Sequence, residues 1–593
     1  MAANFGQRLA KLNPRRATQQ QLLVTIAVIL VLYFIGPLVF VTLASTFRGP
    51  PTILPFDPSA YWTLDNLHVI YTTGRLQSTV TDTFIFVIGS VAVSFIIGLA
   101  LAWLVERTDM PFRNIVYVIV FLPLIMPALV TTIGWIVLLG QRNGLVNVLI
   151  RKVLWFWDID KGPIDPFTLF PGMIFVQGLG GTVIMFVFLS AAFRQMDSSF
   201  EEASRASGAT FLQTIRRITV PIMRPSVLSV LFLGMILTLE SFEIPLLMGA
   251  SGNVADILAT RVYFALNPVT GGTPLYGEVS AYGIHFLIIT YALFYLYARF
   301  TRRAERYATV TARGFRPSKY SLGNLKWVAF AAVIFIMFLK SIAPLLILVW
   351  ASFFSSYRPI EIGALEFANL NNYRVALDDP RFWPAVRNSL ALALGAATIS
   401  VSIALVIAWT TTRAKKNTIW HTLIDLFTSS SLAIPGVVAA SAMLLFYLFL
   451  SSKFGIPLYG TMWMLVLAFS YRMTLAYRLN RAGIAQVARE LEESSSTSGA
   501  NALTTLRQIV VPLIAPNVLT AWAILFIISF REFTVALFLA PSQPITLGVL
   551  LWSYRAESVG KAAAMSVMLA GFLLIVIVTV RFGALKKLAR RRG

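Results

Sequence analysis

Residues 201–221 read EEASRASGATFLQTIRRITVP, and residues 492–512 read EESSSTSGANALTTLRQIVVP. A pair of acids, a run of small residues, a glycine and an apolar-x-x-proline ending recur at one spacing. Both segments are polar, yet the chain around them is not. It has 593 residues, 57% hydrophobic and 13% charged, with mean hydropathy +0.75. A soluble domain carries about 25% charged residues. Apolar runs of about 20 residues recur along the whole length, each long enough to cross a bilayer as a helix. A spanning backbone must satisfy its own hydrogen bonds, and the residue alternation of a barrel is absent. The expected class is an all-α polytopic membrane protein.

Net charge is +23. Lys and Arg sit in short loops beside apolar runs, which is the distribution that orients a membrane protein, so no nucleic-acid partner is expected. There is no cysteine, which excludes disulfides and thiolate metal sites. The first apolar run, 22–44, is too long for a signal peptide and has no small-residue cleavage site after it, so it is expected to remain as a span.

Twelve spans are expected, near 22–44, 80–105, 114–139, 172–193, 226–248 and 277–299, then 327–353, 386–411, 421–450, 460–480, 517–540 and 562–583. Basic residues cluster before the first span (Arg8, Lys11, Arg15, Arg16), between the sixth and seventh (Arg299, Arg302, Arg303, Arg306, Arg313, Arg316, Lys319) and at the end (Lys586, Lys587, Arg590 to Arg592). Six spans on each side of the linker put all three clusters on one face, the cytoplasmic one by the positive-inside rule. Both polar segments share that face, each between the fourth and fifth spans of its half. The longer loops, 45–79 and 140–171, fall on the other.

The halves are repeats. LDNL (64–67) matches LNNY (370–373), and the same offset of 306 pairs Asp82 with Asn388, Trp103 with Trp409 and Arg107 with Arg413. Pro127 and Pro435 pair at 308; at 291, Glu202 pairs with Glu493, Gly208 with Gly499, Arg216 with Arg507, Pro221 with Pro512 and Pro225 with Pro516. The first half therefore has about 17 extra residues between its third and fourth spans. Parallel repeats with six spans each imply an axis along the membrane normal and a path between the halves. The organisation is an N-terminal segment 1–21, a first repeat 22–305 with its polar loop at 201–221, a linker 306–326, a second repeat 327–585 with its loop at 492–512, and a basic tail 586–593.

The segment Glu-Glu-Ala-Ser-x-Ala-x-Gly, with Pro221 thirteen positions after Gly208, resembles the EAA loop of permeases in binding-protein-dependent ABC importers. The second copy keeps Glu493, Gly499, Ile509 and Pro512, with Ser494 in place of the alanine. The resemblance covers the whole chain as two fused permease halves. It implies a type I importer fold, a bacterial inner-membrane location with both termini cytoplasmic, two copies of a cytoplasmic ATPase that bind ATP and Mg, an extracytoplasmic substrate-binding protein, and no cofactor in this chain. The docking residues it implies are Glu201, Glu202, Ala203, Gly208 and Pro221 in the first loop and Glu492, Glu493, Gly499 and Pro512 in the second. Glu202 and Glu493 would contact the ATPase, and the glycines would permit a tight turn. Helical spacing places Leu212, Ile215 and Ile218 on one face. The alternative for such a segment is an amphipathic helix lying on lipid headgroups.

No phosphate-binding G-x-x-x-x-G-K-[ST] loop is present, so ATP hydrolysis is assigned to a separate protein and this chain is not read as an enzyme. His68, His285 and His421 have neither metal-ligand nor triad spacing. An intramembrane enzyme would show clustered Ser, His and Asp. An ion-coupled secondary transporter would need no docking loops.

Just past each polar loop lie ionisable residues at membrane depth: Glu240 and Glu243 in LESFEIPLLMG, Arg531 and Glu532 in SFREFTVALFL. Such groups face a bundle interior, a water path or a partner. One reading is a structural pair, for example Glu240 with Arg531. The other puts Glu240, Glu243, Arg531 and Glu532 on the translocation path or its gate. ESFEIP, SFRE and TARGFRPSKYSLGN (311–324) resemble the ferric-iron branch of fused permeases, which implies iron as the substrate. Carboxylates suit a hard cation, so Glu240, Glu243 and Glu532 are candidate transient ligands. Polyamine, thiamine, sulfate and aminoethylphosphonate permeases are the alternatives.

Overall fold

The computed structural model describes residues 25–590 apart from 122–125, 154–160, 198, 250–254, 269–271, 308–318, 414–422, 426, 429–430 and 541. The N-terminal basic cluster, Arg313 and Arg316 of the linker, His421 and the final arginines 591–592 lie outside the described residues. The described chain is mostly helical, and its one sheet is a two-stranded antiparallel hairpin pairing Arg48–Gly49 with Tyr61–Trp62.

In the first repeat the helices include α1 (Gly36–Thr46), α2 (Arg75–Arg107), α3 (Arg113–Phe121), α4 (Ala128–Leu138), α5 (Ile174–Gln195), α6 (Ser199–Ala206), α7 (Phe211–Thr214), α8 (Val220–Leu239) and α9 (Tyr276–Tyr307). In the second they include α10 (Ala343–Ser352), α11 (Phe382–Arg413), α12 (Gly436–Phe454), α13 (Met462–Phe469), α14 (Thr474–Ala485), α15 (Arg489–Thr497), α16 (Ala502–Thr505), α17 (Ala515–Phe530) and α18 (Val559–Arg590). Among the described residues, eight helices are long and apolar enough to cross a membrane, or ten if each of two bent pairs counts once. The bent pairs are Thr25–Phe34 with Gly36–Thr46, at 47°, and Ala502–Leu513 with Ala515–Phe530, at 83°.

The two remaining spans are interrupted. The third is divided between α3 and α4, and Pro127 is the residue before α4. The tenth is divided at Ser470–Met473, a tighter 3₁₀ turn between α13 and α14. The ninth begins its long helix at Gly436, after Pro435, instead of near 421. Proline lacks the amide hydrogen of an interior helical residue and disfavours helix in the residue before it, so an apolar run containing one is shorter as helix than as hydropathy.

Two compact units form, Met1–Leu64 with Trp383–Val549, and Asp65–Phe382 with Leu550–Gly593. They do not follow the order of the repeats. In the first-named unit α1 packs on α12 of the second repeat, with Tyr33 edge-on to Phe446 at 5.9 Å. In the other, α10 packs on α4 of the first repeat and on α18. Close approach is made by a missing side chain: a Cβ on Gly134 would lie 2.6 Å from the Pro344 carbonyl oxygen. The α2–α5 pair works the same way. A Cβ on Gly98 would lie 2.5 Å from Met185, and Ser94 Oγ donates to the Gly178 carbonyl at 2.7 Å. Between apolar helices in lipid, small residues and short polar bonds supply the attraction that water cannot.

Candidate functional site

Each polar segment folds as helix, glycine turn, helix. The first runs α6, Gly208, α7; the second runs α15, Gly499, α16. Both turns use left-handed glycine, with φ +81° at Gly208 and +86° at Gly499. Nothing lies within 4 Å of a Cβ built on either, so the residue is needed for its backbone and not for close packing. Ala209 N–H donates to Ser204 O and Gly208 N–H to Arg205 O; Ala500 N–H donates to Ser495 O and Gly499 N–H to Ser496 O. These are paired Schellman endings. The next helix starts on a cap each time: Thr210, reciprocated by Gln213, and Asn501. Ser204 Oγ meets Thr214 Oγ1 at 2.9 Å, and Ser495 Oγ meets Thr505 Oγ1 at 2.9 Å, so each pair of helices is also bolted across the turn.

Both segments then widen to i→i+5 hydrogen bonding, over Ile215–Thr219 and Leu506–Val510. Pro221 and Pro512 follow after one valine each, Val220 and Val511. Neither can donate to the carbonyl four residues back, and the widened turn is the local response.

Anchoring is by arginine. Arg107 ends α2, is 2% exposed, and donates to the Phe193 and Met196 carbonyls at 3.1 and 3.2 Å. Its Nε lies 3.8 Å from Glu201 Oε2, and Glu201 Oε1 accepts from Thr219 Oγ1 at 2.7 Å. Arg413 ends α11 and donates to the Ile484 and Val487 carbonyls at 3.2 and 2.8 Å. It pairs with Glu492 Oε1 at 2.6 Å, and Trp409 Nε1 donates to Glu492 Oε2 at 3.0 Å. Glu201 and Glu492, expected among the docking residues, therefore turn inward and hold the loop to the helix ends. Glu202 and Glu493 are exposed, as are Ala203 and Pro512. So are Leu212 and Leu503, both at 71%, equivalent positions at the tips of α7 and α16. Ile215 and Ile218 are only half-buried. The face offered outward thus includes an exposed acid, a glycine turn and an exposed leucine, twice.

The membrane-depth acids sit at breaks. Glu240 closes α8, and Ser241 Oγ donates to Gln177 Oε1 on α5 at 2.8 Å. Arg531 closes α17, and Glu532 Oε1 accepts the Val535 amide at 2.7 Å, capping the short helix Thr534–Leu539. Glu240, Glu243, Arg531 and Glu532 are all half-buried. Among the described residues no group of three or more His, Cys, Asp or Glu converges closely enough to hold a metal ion.

Two intramembrane cations were not anticipated. Lys340 is 5% exposed and donates to the Gly180 carbonyl at 3.1 Å. Arg472 lies in the 3₁₀ interruption of the tenth span, its guanidinium 5.6 Å from the ring centres of Phe469 and Tyr471. The 291 offset pairs Gly180 with Tyr471 and Gly181 with Arg472. Each unit thus brings one cation to the same level of its fourth span, by a different route. A charged residue inside an apolar run is the signal that would have found both. Of the histidines, His285 Nε2 is 2.6 Å from Tyr71 Oη, a packing contact on α9.

A family model described as binding-protein-dependent transport system inner membrane component matches residues 83–306 and 400–593. Among similar proteins is the "Putative ferric transport system permease protein FbpB 1" of Haemophilus influenzae, 26% identical over 552 residues, 90% of this chain and 80% of that one. The ferric transport system permease protein FbpB of Actinobacillus pleuropneumoniae is 26% identical, covering 76% of this chain and 63% of that one. The Fe(3+)-transport system permease protein FbpB 2 of Haemophilus influenzae is 23% identical, covering 82% and 86%.

Proposed function

This chain belongs to the family of binding-protein-dependent transport system inner membrane components, and from that premise we propose that it imports ferric iron as the permease of an ATP-driven transporter. The likeness to ferric transport permeases over 90% of the chain carries the substrate. The repeated outward faces carry the energy source: two equal turns presenting Glu202 with Leu212 and Glu493 with Leu503 suit two copies of one ATPase. Both loops and both termini face the cytoplasm in this reading, and an extracytoplasmic binding protein delivers the cargo. Closure of the ATPase dimer pushes on α6–α7 and α15–α16, and the arginine anchors pass the push to the ends of α2, α5, α11 and α14. The pore alternates between inward-open and outward-open, at the partner's expense of ATP.

A second reading has its own observation. Lys340 and Arg472 place a cation at mid-span in each unit, which suits an anionic cargo such as sulfate or aminoethylphosphonate, or iron carried with anionic ligands. Purifying the partner binding protein and identifying its ligand by elemental analysis and mass spectrometry separates these readings. Iron supports the first, and a metal-free oxyanion overturns it. Uptake into liposomes by the chain without any ATPase would overturn both.

A further inference from the structure

We propose that Tyr320, in the linker between the repeats, is a positioning residue that locks the first ATPase-facing loop and leaves the second to its own anchors. Residues 319–324 re-enter the described structure on the loop side of α2. Tyr320 N–H donates to the Arg107 carbonyl at 2.7 Å, and Asp109 N–H donates back to the Tyr320 carbonyl at 3.1 Å. This makes a parallel bridge between Thr108 and Tyr320. The Asp109 carboxylate fixes the next two residues, accepting from Leu322 N–H at 2.9 Å and Ser321 Oγ at 3.2 Å. Those bonds hold its carboxyl below the usual range, so the clasp is intact at neutral pH.

The Tyr320 ring then enters a three-sided cage. The Arg205 guanidinium of α6 lies 4.7 Å from the ring centre. Phe211 of α7 meets the ring edge-on at 5.1 Å. Trp103 of α2 closes the third side at 6.2 Å and itself touches Phe211 at 5.7 Å. One side chain therefore touches both helices of the loop and the helix behind them. Cation–π and edge contacts of this kind each add to plain burial. The backbone bond falls on Arg107, the residue whose side chain already ties α5 to Glu201, so linker and loop share one anchor.

The cage is not repeated. The 291 offset places Ser496 where the first loop has Arg205 and Ala502 where it has Phe211. The clasp joins the first loop to the start of the second repeat, and it gives the two loops unequal stiffness. Its consequence for transport rests on the ABC-importer reading; the lock itself does not.

The chain has no cysteine, so single cysteines give clean probes. Spin labels at Leu212→Cys and Leu503→Cys, in the full chain in nanodiscs, report the mobility of each loop. Tyr320→Ala raises mobility at Leu212→Cys and not at Leu503→Cys; Tyr320→Phe, which keeps the ring, restores it. Arg205→Gln, which leaves the backbone clasp intact, gives a partial rise and covers the case in which Tyr320→Ala misfolds. In the assembled transporter without labels, Tyr320→Ala lowers the ratio of cargo-stimulated to basal ATP hydrolysis by up to roughly fivefold to seventyfold, the range that losing a cation–π and an edge contact represents. Unchanged mobility at Leu212→Cys, equal rises at both labels, or failure of Tyr320→Phe to restore order overturns the lock. A mobility rise with an unchanged hydrolysis ratio overturns its role in coupling. If the wild-type chain stimulates no ATPase, the importer reading fails, and the two labels still decide whether Tyr320 orders the loop.

Discussion

Glu201 and Glu492 fill the same place in two copies of one motif, and their surroundings have diverged in a correlated way. Glu201 is 4% exposed, has Arg107 Nε at ion-pair distance from one oxygen, and accepts a hydrogen bond from Thr219 at the other. Glu492 is half-buried, beside Arg413, and takes its second bond from Trp409. The tryptophan equivalent to Trp409 is Trp103, which instead packs against Phe211 and Tyr320. The residue equivalent to Thr219 is Val510, which has no hydroxyl to offer. A carboxylate held inside needs its lone pairs occupied. Once the linker engages Trp103, another donor must serve the glutamate, and Thr219 does. The arginine–glutamate anchor is common to both loops, while the second donor depends on what each loop touches.

The strongest test of this contrast is removal of the arginine. Arg107→Ala leaves Glu201 charged and buried without its partner, which costs about 3–5 kcal/mol. Arg413→Ala costs less, because the Arg413 and Glu492 side chains are each 14% exposed and water reaches Glu492. Thermal unfolding in detergent ranks the two, and equal losses would break the contrast. Next, Trp409→Phe removes a hydrogen bond to a charged group, worth about 1.5–3 kcal/mol. Trp103→Phe keeps an aromatic ring and removes no bond to Glu201, so its loss is smaller. A larger loss for Trp103→Phe in the same assay would show that the donors have not exchanged roles.

Gly208→Ala and Gly499→Ala sharpen the common part. Both positions have positive φ and open space around them, so each substitution carries about 1–2 kcal/mol of backbone strain and no clash. Equal losses are expected in ATPase-driven uptake, with asparagine better tolerated than alanine; a loss at one loop alone would mean the turns do not act as a pair. The smallest effect lies on the rim of the second repeat. The Arg381 side chain and backbone hold the Asp379 carboxyl down at about 2. A depressed carboxylate contributes stability above its unfolded value of about 3.9, and that stability is lost as pH falls through about 2. The first repeat has Thr73 at this place. Asp379→Asn therefore flattens the acid limb of the unfolding curve, and an unchanged limb would remove Asp379 as its source.

Much of this was legible because it is local. Left-handed turns follow from glycine between small residues, and helix restarts follow from Thr210, Asn501 and the prolines. The inward acid was not legible, since Glu201 and Glu202 are adjacent and only the position of Arg107 selects between them. Lys340 and Arg472 were legible in principle, as ionisable residues within apolar runs. Tyr320 was not, because nothing in residues 319–324 states which loop they will meet.

The sequence by itself determined the membrane class, the parallel repeat and the two polar loops, because span length, offset and backbone preference are properties of contiguous residues. The tertiary structure decided which acid turns inward, that α1 joins the second repeat's helices and α10 the first's, and that one loop has a linker clasp. Those outcomes depend on contacts between residues far apart in the chain. Apolar helices have no sequence periodicity that names their neighbour, so close approach at residues such as Gly134 and Gly98 makes the choice.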